Sequence, residues 1–269
     1  MPHALIQVER EGDVATVTFN DPDRLNAMTE AMGRAFAEET RQLAGDASLR
    51  AVVLTGAGRA FSAGGDLDWI EAQADAARSA SGEARADIRK YMRSFYGLFL
   101  SLRELPCPTI AAVNGHAVGA GLCVALACDM RLASRQARLR LNFSLLGLHP
   151  GMGATWTLPR LVGPAHAAEL LYSGRSLDGE EAARIGLVNR ALEPDAVVPE
   201  ARKLAAAIAG AAPLANRGIK RALAQSAGAT LTEQLDFEAS EQARCFESED
   251  VREGLAALRE HRRPGFRGR

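Results

Sequence analysis

Cysteine is scarce and unpaired in this chain: Cys107, Cys123, Cys128 and Cys245 are the only four among 269 residues, and no CxxC spacing occurs. That excludes a disulfide framework and a cysteine zinc site, no metal centre is expected, and a reducing, cytoplasmic setting fits best. Charge imbalance is absent too. The formal net charge is -1, and no extended basic block occurs before the last ten residues, so nucleic acid and anionic membrane surfaces are not expected partners. Long apolar runs are missing as well: the longest, Ala117 to Cys128, is too short to span a bilayer and reads as a core helix. The N-terminus opens directly into LIQVER (Leu5 to Arg10), without a charged n-region and apolar h-region of a leader. What is present is 47% hydrophobic residues against 24% charged ones, enough to bury a sizeable core in one large domain with a small appendage.

The order of patterns along the chain indicates an α/β protein. LIQVER, the turn EGD and VATVTF (Val14 to Phe19) alternate as a hairpin, and Thr29 stands where an N-cap would open a helix over Glu30 to Ala44. AVVLTG (Ala51 to Gly56) reads as a buried strand. A polar, alanine-rich helical segment then runs to about Arg93, and Phe95 to Leu105 follows at helical spacing until Pro106 and Pro108 stop it. The alternation repeats through TIAAV (Thr109 to Val113), a glycine turn, a helix over Ala120 to Cys128, and strands MRLA (Met130 to Ala133) and RLRL (Arg138 to Leu141). Such alternation implies crossover units and a largely parallel sheet. From His149 onward the pattern is helical, with capping boxes expected at Asp178 and Glu181 and at Thr230 and Glu233, and an acidic start at Ser248 to Asp250. The expected division is an α/β core over 1-200 and a helical region over 201-269.

Two glycine-rich stretches carry the chemistry. FSAGGDL (Phe61 to Leu67) bares backbone N–H groups around Ala63, Gly64 and Gly65, and VNGHAVGAGLCVALACD (Val113 to Asp129) runs through Gly119, Ala120 and Gly121 into an apolar helix. Two such sets of donors can cradle an oxyanion, and a helix N-terminus favours negative charge. Either stretch alone also reads as nothing more than a tight strand-to-helix turn. A dinucleotide fold is disfavoured, because Gly56-Ala57-Gly58 is followed by Phe61 where a third glycine belongs and no helix opens there.

The ordered set NAM (Asn26 to Met28), VVLTG, FSAGGDL, PTIAAVNGHAVGAG, GLHPGMGATWTLPRLVG (Gly147 to Gly163), GLVNR (Gly186 to Arg190) and EGLAALREHRRPGF (Glu253 to Phe266) resembles the enoyl-CoA hydratase/isomerase, or crotonase, superfamily over nearly the whole chain. The resemblance implies a crotonase-like spiral of ββα units with a helical C-terminal trimerisation region, assembling as a homotrimer or hexamer. It implies an acyl-CoA thioester as the small-molecule substrate, coenzyme A entering with that substrate and no separate cofactor. It places the oxyanion donors at the amides of Gly65 and Ala120. Members range over hydration, isomerisation, decarboxylation, dehalogenation and hydrolysis, so the fold alone does not choose the reaction.

Family hydratases use two glutamates, one three residues after the second oxyanion amide and one four residues before the glycine that begins the GxxPG-type segment. Those positions hold Cys123 and Phe143 here. Neither replaces a water-activating carboxylate, since phenylalanine carries no proton and a thiol titrates above neutrality. Hydration is therefore not expected, and decarboxylation or isomerisation fits better; the alternative of a different class is an acyl-CoA-binding homologue without turnover. His149, beside Pro150, is the replacement base to consider, with His116, Asp68 and Glu71 behind it, although each also reads as an ordinary loop or first-turn residue. For the coenzyme A moiety the resemblance implies Arg24, Leu25, Ala27, Ala63, Gly64, Asp66 and Leu67, with Arg263 and Phe266 closing from the C-terminus. Asp66 also reads as a helix N-cap, and the basic C-terminal cluster as a solvated tail. The segment from Ala72 to Arg89 is expected to form part of the acyl-chain wall, and Trp69, Trp156 and Phe143 to pack rather than stack on ligand.

Overall fold

The structure is a computed structural model that describes residues 4–78 and 82–269. Its main sheet has six strands in the order β1-β2-β3-β5-β7-β10, formed by Ile6–Glu11, Val14–Phe19, Ala51–Gly56, Thr109–Val113, Met130–Ser134 and Arg190–Leu192. Only the β1–β2 hairpin is antiparallel, with Ile6 opposite Phe19; the other pairings are parallel. β3 and β5 are buried at every residue, as unbroken apolar runs of a parallel sheet covered on both faces should be.

Two apolar layers sandwich this sheet. On one side α1 (Glu30–Ala44) starts at Thr29, whose hydroxyl accepts the Met32 amide, and delivers Phe36 into a cluster with Phe19, Phe61 and Phe99. Phe19 meets Phe61 edge-on at 5.7 Å between ring centroids, an arrangement that ring quadrupoles favour. On the other side α7 (Val197–Ala209) lays Val197, Ala201 and Ala205 over Val53, Ile110, Ala112 and Leu132. Ala201 and Ala205 let the helix lie close to the strands.

A second sheet, of order β4-β6-β8-β9, grows from the ends of β3 and β5: Ala60–Ser62, His116–Val118, Leu139–Arg140 and Ser176–Leu177. β4 and β6 were not expected from the pattern, because three residues are too few to reveal a period. Asn114 braces the junction. Its side chain accepts from the Gly56 amide and donates to the carbonyls of Gly56 and Gly58.

The remaining helices are α2 (Leu67–Arg78), α3 (Gly82–Leu100), α4 (Ala120–Ala127), α5 (Ala154–Ser173), α6 (Gly179–Arg184), α8 (Pro213–Ser226), α9 (Leu231–Glu247) and α10 (Glu249–Arg259). Three local expectations need correction. The α-helix expected over Phe95 to Leu105 ends at Leu100, and a 3-10 turn over Ser101–Glu104 completes it; the Ser101 hydroxyl turns back onto the Leu98 carbonyl. Thr230 and Glu233 make a reciprocal capping box, whereas at α6 only Asp178 caps, because Arg175 draws the Glu181 carboxylate away. Asp250 is buried and accepts the amides of Arg267 and Gly268, so it ties down the C-terminal tail as well as opening α10. Buried Arg131 is another tie: its guanidinium donates to the Leu187 and Cys128 carbonyls while its main chain exchanges hydrogen bonds with Asn189, which fastens the approach to edge strand β10.

Asn26, within the NAM motif, is fully buried and serves as the hub of the first glycine-rich loop. Its side chain donates to Ala57 and Ala60 carbonyls and accepts the Asp21 amide, and its carbonyl accepts from Ser62. Substitution Asn26→Ala strands these buried groups, and a loss of about 3 kcal/mol is expected in urea unfolding.

Candidate active site

The first glycine-rich loop is held from one side by Leu25–Met28. Leu25 and Asn26 adopt left-handed φ of 53° and 55°, which turns their backbone toward Ala63: the Ala63 amide donates to Leu25 and the Met28 amide to Gly64. The resulting parallel bridge pairs Met28 with Gly65. Such a bridge uses the groups flanking Gly65 and leaves the Gly65 N–H pointing away from Met28.

On that other side lies the second loop. Gly64 has φ of 93°, and a Cβ built on it would stand 2.5 Å from the Val118 carbonyl oxygen and 3.4 Å from the Ala120 nitrogen. Only glycine permits both the conformation and this approach. Gly119 makes the turn into α4, so that Ala120 is the first helical residue and its N–H has no carbonyl one turn earlier to receive it. Among the described residues neither the Gly65 nor the Ala120 amide has a protein acceptor. The two sequence-predicted donors are thus on touching loops, one of them at a helix N-terminus.

Around them the surroundings are apolar. Cys123 sits one turn along α4, is buried, and burial pushes its thiol up to about 12. The ring of Phe143 approaches the α-carbon of Gly119, with its Cζ 3.9 Å from where a Cβ would be. Near Cys123 lies a titratable side chain that the sequence did not single out. Tyr96 of α3 is half-buried, its hydroxyl lies 2.5 Å from a Cβ built on Gly151, and burial followed by the nearby Cys123 raises its pKa. Its signal in the sequence was weak, an aromatic at helical spacing among Phe95, Leu98 and Phe99, indistinguishable from core.

The other candidates separate. His149 is exposed, with Nδ1 2.7 Å from the Pro150 carbonyl oxygen, and His116 accepts the Arg138 amide at Nδ1, a bond between β6 and the start of β8. Asp68 and Glu71 are exposed on α2. Arg24 pairs with Asp66 at 2.8 Å, and Asp66 also accepts the Asp68 and Trp69 amides at the start of α2. Burial works to raise the Asp66 pKa, but Arg24 and those amides hold it below its ordinary value. Arg24, Leu25, Ala27, Ala63, Gly64 and Asp66 therefore form one contiguous rim, with Leu67 exposed beside it. Arg263 and Phe266 lie with the tail: the Phe266 ring rests on Gly254 and its carbonyl accepts from Arg50. Trp69 stacks on Tyr91 and Phe95 at 4.9 and 6.2 Å, fastening α2 to α3. Of the expected acyl wall over 72–89, residues 79–81 lie outside the described residues.

Among the described residues no group of histidine, cysteine and carboxylate side chains is arranged to hold a metal ion, and no helix is long and apolar enough to cross a membrane.

Comparison with known proteins bears on the family and the fold. The Enoyl-CoA hydratase/isomerase family model matches residues 9–269. The chain is 37% identical to 1,2-epoxyphenylacetyl-CoA isomerase of Escherichia coli, covering 96% of this chain and 97% of that one, and 35% identical to short-chain-enoyl-CoA hydratase of Clostridium acetobutylicum, covering 97% of each. Among solved structures it is similar to enoyl-CoA hydratase from Bacillus anthracis, with a TM-score of 0.90 at 32% identity over 98% of this chain and all of that one. The fold is thus the mixed α/β crotonase fold, and the chain belongs to the enoyl-CoA hydratase/isomerase family.

The burial pattern makes a thiol-labelling order the direct check of the site's lining. At pH 8 Cys245, which is half-exposed, is expected to react first with a thiol reagent, while Cys107, Cys123 and Cys128 react only on unfolding. Fast labelling of Cys123 in the folded protein would contradict the buried, protonated thiol described here.

Proposed function

We propose that the protein acts on an acyl-CoA thioester by holding a thioester-derived anion between the Gly65 and Ala120 amides, and that the reaction is decarboxylation or isomerisation rather than addition of water. The observation that carries this reading is the pair of acceptor-free amides on touching loops, beside a thiol and a phenyl ring at the positions where family hydratases have carboxylates. A thioester oxygen becomes more negative as an enolate or tetrahedral anion forms, so donors fixed in place lower the barrier more than they tighten substrate binding. Apolar neighbours strengthen the effect by excluding water. Addition of water would instead need a group to take a proton from it, and neither Cys123, held protonated by burial, nor Phe143 does so.

The rim supports coenzyme A recognition. Backbone groups at Leu25, Ala27 and Ala63 through Leu67 suit the polar pantetheine and adenine edges, and Arg24 supplies charge for phosphate, its partner Asp66 setting its orientation. The likeness to an isomerase and to a hydratase at nearly equal identity supports the thioester substrate class without choosing the chemistry.

Substitution Ala120→Pro removes one donor at the first helical position, where proline suits the backbone. It is expected to lower kcat by roughly 100- to 1000-fold with little change in the unfolding midpoint. Incubation with crotonyl-CoA and with malonyl- or methylmalonyl-CoA tests the reaction class: rapid hydration of the first would overturn the proposal, and so would binding of all three without conversion of any.

A further inference from the structure

One polar side chain interrupts the apolar surroundings of the two amides, and the sequence did not single it out. Gly119 turns into α4 with φ of 51° and ψ of -120°. At that ψ, tetrahedral stereochemistry swings the missing Cβ direction alongside the next N–H, so a side chain at 119 would intrude on any acceptor of the Ala120 amide. The atoms nearest a Cβ built on Gly119 therefore flank the space in front of that amide: Asn142 Oδ1 at 3.4 Å and Phe143 Cζ at 3.9 Å. At Gly65 the corresponding neighbour is Ile70 Cδ1, also at 3.4 Å. Asn142 alone of the three is polar. Its main chain is fixed from three directions. β6 and β8 pair Val118 with Arg140, and the Gly119 amide donates to the Arg140 carbonyl, so the chain two residues on runs beside Ala120. The Asn142 carbonyl accepts the Leu145 amide, and the Asn142 α-carbon lies 3.3 Å from where a Cβ on Gly174 would stand. Every other asparagine of the chain bonds main chain through its side chain. The Asn142 side-chain amide has no hydrogen-bond partner among the described residues, and neither of its polar atoms is sealed from solvent. Held firmly at its base and unsatisfied at its tip, it is open to a ligand.

Resting on the anion-hole reading above, we propose that the Asn142 side chain is a third hydrogen-bond donor to the thioester-derived anion, beside the Gly65 and Ala120 amides. Its Oδ1 faces the turn, as an acceptor should toward an unpaired N–H. A half-turn about the terminal torsion exchanges oxygen for nitrogen and presents an N–H to the same place. An oxyanion seated on the two backbone amides displaces the acceptor and draws that donor in. The Phe143 ring, at the same corner, keeps water from the new bond and so strengthens it. Asn142 has no titrating proton, so it adds to anion binding without supplying the proton transfer that Cys123 and Phe143 lack.

The thioester carbonyl reports its own donors. Butyryl-CoA labelled with 13C at the thioester carbon should, when bound, show its carbonyl stretch displaced to lower wavenumber in difference infrared spectra. Asn142→Leu, close in size and unable to donate, should keep roughly two-thirds of that displacement, two donors of three remaining, with affinity within about threefold of wild type. Asn142→Asp is the second variant and carries the test should Asn142→Leu fold poorly. Above the pKa of the introduced carboxyl its charge faces the anion site and the displacement should shrink; below that pKa the neutral acid donates and should restore it. A purely structural role would not make the carbonyl frequency follow protonation at this position. Equal displacement in wild type and Asn142→Leu, with no pH dependence in Asn142→Asp, would overturn the assignment of Asn142 and leave the two amides standing. An undisplaced carbonyl in wild type saturated with butyryl-CoA would overturn the anion-hole reading itself, and this proposal with it.

Discussion

The approach of the Gly64 backbone to the Val118–Ala120 turn is the contact on which the active site depends. Here main chain meets main chain with no side chain between, and the distances leave no room for one. Each loop is positioned from behind by a different device: the Leu25–Met28 segment on one side, and the β6–α4 turn on the other. Because the donors belong to the backbone, their aim is set by the fold rather than by rotamers, and little reorganisation is needed as charge develops. The cost is borne by the sequence, which must keep glycine at 64 and 119 and spend buried Asn26 on holding the outer loop.

The second constraint is the near absence of charge next to those amides. A buried carboxylate facing an anion hole would compete for its donors; a protonated thiol and a phenyl ring do not. Cys123 and Phe143 thus simplify the electrostatics at the expense of proton transfer. The charged pairs lie at the rim, as with Arg24 and Asp66, where solvent moderates them.

Much of the architecture was legible in the sequence because the main-sheet strands are long enough to show a pattern and α1 and α9 announce their starts through Thr29 and Thr230. The two glycine-rich loops stood out because glycines ahead of an apolar helix have few structural meanings, and the structure brings them into contact. Short strands β4 and β6 escaped notice, since three residues carry no period, and so did the 3-10 end of α3. Tyr96 escaped for a different reason. Its surroundings come from Gly151, more than fifty positions away in the chain, and from Cys123 on a third element, and nothing local to α3 announces either. His149 was the converse: its neighbours in sequence suggested chemistry, while its ring turns to its own loop.

Arg131 carries a consequence of another kind. Its guanidinium is buried against two carbonyls rather than a carboxylate, and burial lowers its pKa by more than the neighbouring Cys128 and Asp129 raise it. A planar fork can serve the Leu187 and Cys128 carbonyls at once from fixed directions, whereas an ammonium on a flexible stem would be a poorer and more costly occupant. Evolutionary drift at this position should therefore be narrow even though it lies outside the cleft, and a chain that departed from arginine here would have to rebuild the whole seam joining β7 to the edge strand.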